Sequence, residues 1–360
     1  MRLMRTQRFR KEFKNILENT NLSEGISNEK MKEKLLPLIK HVYEHIPSSL
    51  FRYRDCSELS IDAFDKDILF ASTSDKFNDP YDCLFRYDKE GLRHSIMQAL
   101  SKDFIFDLRE QLRSGKDFPG ELNSFYTNEL LDYARSSIRD ASDSAIQNSD
   151  VFYNVIRKDF SENYDKRIYE AVESVKRNAY IVCFSEIINS VTMWSHYANF
   201  HKGFALEYDV SKLQMQCVKC DKFKQCEKAI INNIYPVIYD KNRYEATNYL
   251  LSYIVKKLGL SINVPDLLAV TKCQLYKYSQ WSYEKEWRLI LTLRNDCVKP
   301  NEDYYGIMNV RPNAIYYGSR ISSINKKMLH LIAKEKGIDE YQMYIDDKSY
   351  QYSNKVKKIR

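Results

Sequence analysis

Two glutamates, Glu284 and Glu286, stand two residues apart in the segment WSYEKEWRLI, residues 281–290. The chain has three tryptophans, and two of them flank this pair of carboxylates. In a strand, side chains two residues apart share a face, so Glu286 would lie on the face of Arg288 while Trp287 faces the core. The segment therefore predicts a turn that leads into a core strand, with Glu286 at the first strand residue, where a cleft can open. A carboxylate fixed in a low-dielectric cleft stabilises the positive charge that develops on a sugar when its glycosidic bond breaks.

A structural interpretation of the same segment stays open. Glu284, Lys285 and Arg288 can form a solvated charge network while the two tryptophans pack. The two interpretations differ in the role of Glu286. If Glu286 is catalytic, Glu286→Gln should abolish activity with little loss of stability, whereas Trp287→Ala should cost about 3 to 5 kcal/mol.

A run of hydroxyl side chains supplies candidate binding groups. Ser72, Thr73 and Ser74 end a strand-like segment, and Asn78 lies in the turn-rich segment that follows. A strand end followed by turns explains Asn78 well and the three hydroxyls less well. The hydroxyls can instead line a polar pocket and bond a ribose or an amide.

An arginine-containing strand and an aromatic segment add further candidates. In the segment FRYR, alternation puts Tyr53 on one face and Arg54 on the other, and an arginine beside a polar pocket can clamp a diphosphate. An ordinary surface arginine fits this pattern equally well. The segment MWSHYANFHK supplies Trp194, His196 and Tyr197, whose rings can stack on a flat ligand. Packing against neighbouring aromatic rings is the alternative for the histidine.

Three cysteines of the segment CVKCDKFKQC follow the spacing C-x2-C-x5-C: Cys217, Cys220 and Cys226. The first spacing suits a zinc knuckle, but no fourth ligand is obvious nearby. Free thiols on a charged loop are therefore the favoured interpretation, and we predict no metal. This loop should lie between strands at 203–209 and 234–240, away from Glu286.

Composition limits the class of protein. The chain has 360 residues, 44% of them apolar, with 9 Gly and 8 Pro, so it can bury a substantial core. Its formal charge of +7 is mild and permits an anionic partner without demonstrating one. P-loop, Rossmann, nucleophile-elbow and zincin motifs are absent.

No apolar run approaches the roughly 18 residues of a membrane span. The N-terminus has no signal-peptide core and the eight cysteines suit a reducing compartment, so we expect a cytoplasmic protein without a membrane contact.

Periodicity predicts an α+β fold. Residues 1–46 follow helical spacing and form an N-terminal extension, and strand-like segments begin at residue 49. Residues 88–178 form a helical insertion into a core that spans 47–345. Strands separated by irregular loops predict a mixed or antiparallel sheet and not alternating βαβ units. Residues 346–360 form a basic tail.

Five segments together carry a family resemblance: LFRYR, ILFASTSDKFNDPYD, VCFSE, MWSHYANFHKGFALEYD and YEKEWRLI. In combination they resemble the bacterial domain-of-unknown-function family 2971, over residues 50–90 and 180–320. The name of that family assigns no chemistry.

A second resemblance concerns mechanism. Arg54, the run Ser72-Thr73-Ser74 and the pair Glu284 and Glu286 occur in the order in which ADP-ribosyltransferases of the arginine–serine–glutamate kind carry their motifs. The resemblance implies an ADP-ribosyltransferase-like sheet and NAD as co-substrate. It also implies that Arg54 holds the NAD phosphates, that Ser72 orders the pocket, and that Glu286 stabilises an oxocarbenium-like transition state. The chain departs from that family in the short spacing between the arginine and the serines, and in the turn that directly follows the serines.

These observations lead to one expected function and two alternatives. We expect an NAD-consuming ADP-ribosyltransferase-like effector, a bacterial toxin or antiviral defence protein, with Glu286, Glu284 and His196 in catalytic roles. The residues expected to bind NAD are Tyr53, Arg54, Ser72, Thr73, Ser74, Asn78, Trp194 and Tyr197. The acceptor would be a protein or a nucleic acid, and the helical segments would contact a partner or antitoxin protein. The alternatives are a non-enzymatic sensor or interaction module of a defence system, suggested by those helical segments, and a nucleic-acid-processing protein, suggested by the basic ends and the cysteines.

Overall fold

The structure is a computed structural model, and it describes residues 2–23, 25–116, 128–148, 150–213, 233–257, 266–292, 304–307, 309–346 and 354–360. Helices and one large, mostly antiparallel sheet make up this part of the chain, which confirms the predicted α+β class. The three cysteines of the C-x2-C-x5-C segment, Cys217, Cys220 and Cys226, lie outside the described residues.

The predicted N-terminal helical extension consists of two helices, α1 (Arg2–Asn19) and α2 (Asn28–His45). Phe9, Phe13 and Leu17 follow one face of α1, and all three are buried in the apolar core that the sheet also contributes to. The extension is therefore part of the main core.

The described residues form twelve strands: β1 (Ser49–Arg54), β2 (Leu69–Ser72), β3 (Ala179–Ser185), β4 (Phe204–Asp209), β5 (Ile234–Pro236), β6 (Ile238–Asp240), β7 (Tyr276–Tyr278), β8 (Glu286–Thr292), β9 (Tyr304–Ile307), β10 (Ala314–Tyr317), β11 (Asp339–Ile345) and β12 (Asn354–Lys358). Ten of them form one sheet with the order β12-β11-β10-β4-β1-β3-β2-β9, in which β8 pairs with β3 and β5. Strands β6 and β7 form a separate parallel pair. Within the large sheet, β10 and β11 are parallel and the other described pairs are antiparallel.

The remaining helices of the described residues are α3 (Glu58–Asp65), α4 (Lys89–Ala99), α5 (Lys102–Arg113), α6 (Asn128–Arg139), α7 (Asp143–Asn148), α8 (Val151–Glu162), α9 (Tyr164–Arg177), α10 (Val191–Tyr197), α11 (Val210–Leu213), α12 (Thr247–Lys257), α13 (Ala269–Cys273) and α14 (Ser323–Lys336). Helices α4 to α9 fall within 88–178, the range predicted as a helical insertion. This unit has its own apolar core, to which α12 contributes Leu250 and Ile254.

The C-terminal part differs from the predicted basic tail. Residues 354–358 form β12, which pairs with β11 at five positions and becomes an edge of the sheet. The segment KVKK alternates a valine with lysines, and its backbone completes the ladder of β11 while its side chains stay exposed. Residues 354–358 are five residues, three of them lysines, which is too few for the apolar periodicity of a strand to show in the sequence.

A split in the large sheet sets the place of the candidate site. One edge of β3 pairs with β8 along all seven residues of β3. Its other edge pairs with β1 only at Phe51 and Ser185, and with β2 only at Ser72 and Ile181. Because β8 occupies one edge of β3, both β1 and β2 must pair with its other edge. They do so at different positions, diverge between them and leave a gap beside Cys183.

Candidate functional site

A cavity of about 380 Å³ opens at this split. Side chains from β1, β2, β3, α10 and the start of β8 line it. Eight of the eleven residues predicted for the site border the cavity: Tyr53, Arg54, Ser72, Asn78, His196, Tyr197, Glu284 and Glu286. The fold thus brings together residues from four separate parts of the chain.

Lys277 joins the two glutamates on one wall of this cavity. Its Nζ donates to Glu284 Oε2 at 2.6 Å and to Glu286 Oε2 at 3.0 Å. The same Nζ lies 3.2 Å from Asp82 Oδ2. One ammonium group therefore holds three carboxylates within ion-pair distance, two of which are the predicted catalytic pair.

Arg288 completes the network behind Glu286. Its Nε donates to Glu286 Oε1 at 2.7 Å, and its Nη2 donates to the two carboxylate oxygens of Asp82 at 2.8 and 2.7 Å. Arg288 is 0%, Glu284 2% and Glu286 4% exposed. The structural interpretation, a solvated network of Glu284, Lys285 and Arg288, is therefore wrong for the two members that are buried. The expectation that Glu286 contributes little to folding also needs correction, because Glu286 is a buried ion-pair member as well as a cavity residue.

The surroundings move the pKa values of the two glutamates in opposite directions. Burial, reinforced by the negative charge of Glu286, raises the pKa of Glu284 to about 7. Burial acts on Glu286 in the same sense, but the charges of Arg288 and Lys277 outweigh it and hold the pKa of Glu286 far below its usual value. Glu286 is therefore a permanent carboxylate, whereas Glu284 exchanges its proton near neutral pH. Two carboxyl groups with separated pKa values can take different roles in one reaction.

A turn with one left-handed residue brings the two glutamates together. Residues Ser279–Glu284 form a 3-10 turn, and Lys285 follows with φ 50° and ψ 46°. Strand β8 then starts at Glu286, so the predicted turn and core strand are confirmed. Glu284 precedes the strand, and the turn, not strand alternation, directs its carboxylate to Lys277. Tyr197 of α10 holds the other oxygen, since its hydroxyl donates to Glu284 Oε1 at 2.5 Å.

Two arginines on β1 face the cavity with unused hydrogen-bonding capacity. Arg52 Nη2 donates to the Phe70 carbonyl oxygen at 2.5 Å, while its Nη1 is buried and has no hydrogen-bond partner among the described residues. The Arg54 side chain makes no hydrogen bond or ion pair within the part of the chain that the structure describes, and it also borders the cavity. Burial, reinforced by Arg54, lowers the pKa of Arg52 to about 9, and burial lowers the pKa of Arg54. Both arginines are half-buried, and a partly desolvated cation without a carboxylate partner is costly, so an anionic ligand would be stabilised here.

Three predicted residues do not border the cavity. After Ser72 the chain enters a 3-10 turn, where the Thr73 hydroxyl donates to Asp75 and the Ser74 hydroxyl donates to the Lys176 carbonyl at 3.3 Å. Trp194 is fully buried, and its Nε1 donates to the Ile188 carbonyl at 2.7 Å. The indole therefore supports the site from behind, with its ring edge-on to Tyr53 at a centroid distance of 5.2 Å.

Arg52, Asp82 and Lys277 are site residues that the sequence predictions did not include. Arg52 had a usable signal, because strand alternation puts it on the face of Arg54. Lys277 stands between two tyrosines in a three-residue strand, which is too short for a period to be read. Asp82 lies in the turn-rich segment after β2, where an acidic residue is ordinary.

Comparison with known families supports one of the two resemblances. Residues 193–289 match the model of a family described as a protein of unknown function, domain-of-unknown-function family 2971. This segment is shorter than the predicted resemblance, but it holds most of α10, the 3-10 turn and the start of β8. It therefore contains six cavity residues: Met193, His196, Tyr197, Lys277, Glu284 and Glu286. Searches of curated proteins and of solved structures gave no match. The resemblance to ADP-ribosyltransferases stays a prediction. Among the described residues, no helix has the length and apolar character needed to cross a membrane.

Proposed function

We propose that the cavity binds NAD and transfers its ADP-ribose group to an acceptor nucleophile. One observation carries the proposal: a single cavity combines two arginines that lack carboxylate partners with two carboxyl groups whose pKa values differ. NAD has the matching chemistry, since its diphosphate is anionic and its nicotinamide ribose becomes positively charged during cleavage.

The arginines suit the diphosphate. Charge-assisted hydrogen bonds from a guanidinium to phosphate oxygens are short and strong, and Arg52 Nη1 and the Arg54 guanidinium are free to form them. Tyr53 and Tyr197 present rings beside the same cavity, and aromatic rings with a polar tip suit a flat nicotinamide.

The glutamates suit the chemical step. The bond between nicotinamide and ribose breaks with its electron pair leaving on nicotinamide, and the ionised Glu286 stabilises the positive charge that develops on the sugar. The acceptor nucleophile then forms a bond to the same carbon and loses a proton, which Glu284 can take when it is ionised. With water as acceptor, the same steps give free ADP-ribose.

A nicotinamide-release assay tests this proposal. Purified protein is incubated with NAD labelled in the nicotinamide ring, with and without cell lysate, and with NAD labelled in the adenosine part to detect modified macromolecules. We expect release of free nicotinamide, at least 100-fold slower for Glu286→Gln and for Arg54→Gln.

Glu340→Gln is the matched control, because Glu340 is also fully buried in the sheet but does not border the cavity. It should keep the wild-type rate. Equal rates in Glu286→Gln and wild-type protein would refute the catalytic role. Binding of NAD without release of nicotinamide by the wild-type protein would favour the alternative of a non-enzymatic sensor.

If this activity is present, the protein is an effector of the toxin or antiviral-defence type, because unrestricted loss of NAD stops growth. Expression of the wild-type chain should then arrest a bacterial host, and Glu286→Gln should restore growth at equal protein level.

A further inference from the structure

A second cavity, of about 470 Å³, lies beside the first and has no role in the proposed reaction. Rings of Tyr81, Tyr276, Tyr278 and Trp281 line it, and Lys277 borders both cavities. Its volume is in the range of small-molecule sites, roughly 300 to 1,000 Å³. From the chemistry of its wall we propose that this second cavity binds a nucleotide, with the base stacked on the exposed rings and the phosphate held by two basic side chains.

The rings are available for stacking. Tyr81 is 63% and Tyr278 44% exposed, so both rings present surface to a ligand in this cavity. Trp281 is half-buried and lies at the same cavity. Base stacking on aromatic side chains is tolerant of base identity, because every base has a π face.

The polar groups of the wall suit a base edge and a phosphate. Lys241, Asn242 and Gln280 are exposed, and within the described residues their side chains make no hydrogen bond or ion pair. Arg243 is also exposed and contacts the face of Tyr81, with its guanidinium carbon 5.8 Å from the ring centroid. Two unengaged amides can pair with a base edge, and two basic side chains can hold a phosphate.

Two acidic residues of the same wall do not oppose this assignment. Asp240 is neutralised by Lys14, whose Nζ lies 2.6 Å from its Oδ2. Asp79 is engaged in its own turn, where its Oδ1 accepts the backbone N–H of Tyr81 at 2.9 Å. Within the described residues, neither Lys241 nor Arg243 forms an ion pair with these carboxylates, so both basic side chains are available to a ligand.

Calorimetric titration with adenosine 5′-monophosphate tests the proposal. Because a nucleotide can also enter the first cavity, the titrations are made in full-length Arg54→Gln protein as well as in the wild type. We expect binding in both, weakened at least tenfold by Tyr278→Ala and by Arg243→Gln. Adenosine alone and inorganic phosphate alone should each bind at least tenfold more weakly than the nucleotide.

Tyr344→Ala is the matched control, because Tyr344 is 45% exposed and lies outside the cavity. It should leave the affinity unchanged. Trp281 gives an independent signal, since Trp194 and Trp287 are fully buried, and stacking should quench a fluorescence component that Trp281→Phe removes.

Binding that is lost in Arg54→Gln but unaffected by Tyr278→Ala and Arg243→Gln would place the nucleotide in the first cavity only and overturn the proposal. Absence of any binding to the wild type at millimolar nucleotide would also overturn it. Neither result depends on turnover of NAD, so failure here is distinguishable from failure of the proposed reaction.

Discussion

At the scale of single residues, the ionisation of Glu284 makes stability depend on pH. Its pKa rises from an ordinary value near 4.5 to about 7 on folding, so the folded state binds the proton more tightly than the unfolded state. The stabilising contribution is complete below pH 4.5 and is lost as the pH rises to about 7. We therefore expect Glu284→Gln to remove a decline in the free energy of unfolding between these pH values, measured by urea denaturation. If the free energy of unfolding varied with pH in the same way in the wild type and in Glu284→Gln, the raised pKa of Glu284 would be contradicted.

Glu286 should contribute to stability as well as to catalysis. Glu286→Gln keeps the shape of the side chain but leaves Lys277 and Arg288 with one carboxylate fewer in a buried network. Removing one partner of a buried ion pair costs about 3 to 5 kcal/mol. We expect a loss of that order in the free energy of unfolding. As a control, Glu245→Gln breaks an exposed pair with Arg86 and should cost less than about 1 kcal/mol. If Glu286→Gln lost as little free energy of unfolding as the control, the expectation that Glu286 contributes little to folding would stand.

The sequence predicted single residues where a local rule applied. Trp287 is fully buried and Arg288 shares a face with Glu286, as alternation requires. Local rules could not predict that Arg288 is buried too, because its burial depends on Asp82, 206 residues away along the chain. The same limit applies to Lys277, whose Nζ lies 3.2 Å from the carboxylate of the same distant residue, Asp82.

At the scale of elements, helix α1 holds the strand that carries Glu286. Arg10 Nη1 donates to the carbonyl oxygens of Val237 at 2.7 Å and of Glu286 at 3.0 Å, and its Nη2 donates to Glu186 at 3.3 Å. Phe9 stacks near Trp287 with 5.8 Å between ring centroids. The N-terminal extension is thus a positioning element for the first residue of β8.

Arg10→Met should therefore lower activity while the protein stays folded. The variant keeps the aliphatic part of the side chain and loses the donors to Val237, Glu286 and Glu186, so we expect a loss of about 2 kcal/mol in stability from hydrogen bonds to a charged group. Nicotinamide release at a temperature well below the unfolding midpoint should fall at least tenfold. Arg8→Met, on the exposed side of the same helix, is the control and should change neither quantity. Equal activity of both variants would show that α1 only covers the core.

Elements with several periods were predictable, and short or paired ones were not. Helix α1 and strands β1, β3, β4 and β8 have enough residues for an apolar face to show in the sequence. Strand β7 has three residues, and β12 carries mostly lysines, so both depend on pairing with β6 and β11. The split between β1 and β2 is a property of the sheet, which no single segment encodes.

At the scale of the whole molecule, the helical unit and the sheet are linked through the support of the site. Gln274 Nε2 donates to the Val175 carbonyl of α9 at 3.3 Å, while the backbone carbonyl of Gln274 accepts Arg288 Nη1 at 2.7 Å. The Ser74 hydroxyl donates to the Lys176 carbonyl, also on α9. The last helix of the insertion is therefore bonded to Gln274, which contacts Arg288, and to the 3-10 turn that follows β2.

This linkage predicts that the two apolar cores unfold together. Leu250 is fully buried in the core of the helical unit, and Leu289 is fully buried in the core of the sheet. Each Leu→Ala change should cost about 2 to 5 kcal/mol and lower the midpoint of one common thermal transition. Leu331→Ala is the control, because Leu331 is 57% exposed on α14. Two calorimetric transitions, of which Leu250→Ala shifts only one, would mean that the helical unit unfolds alone and that α9 does not couple it to the site.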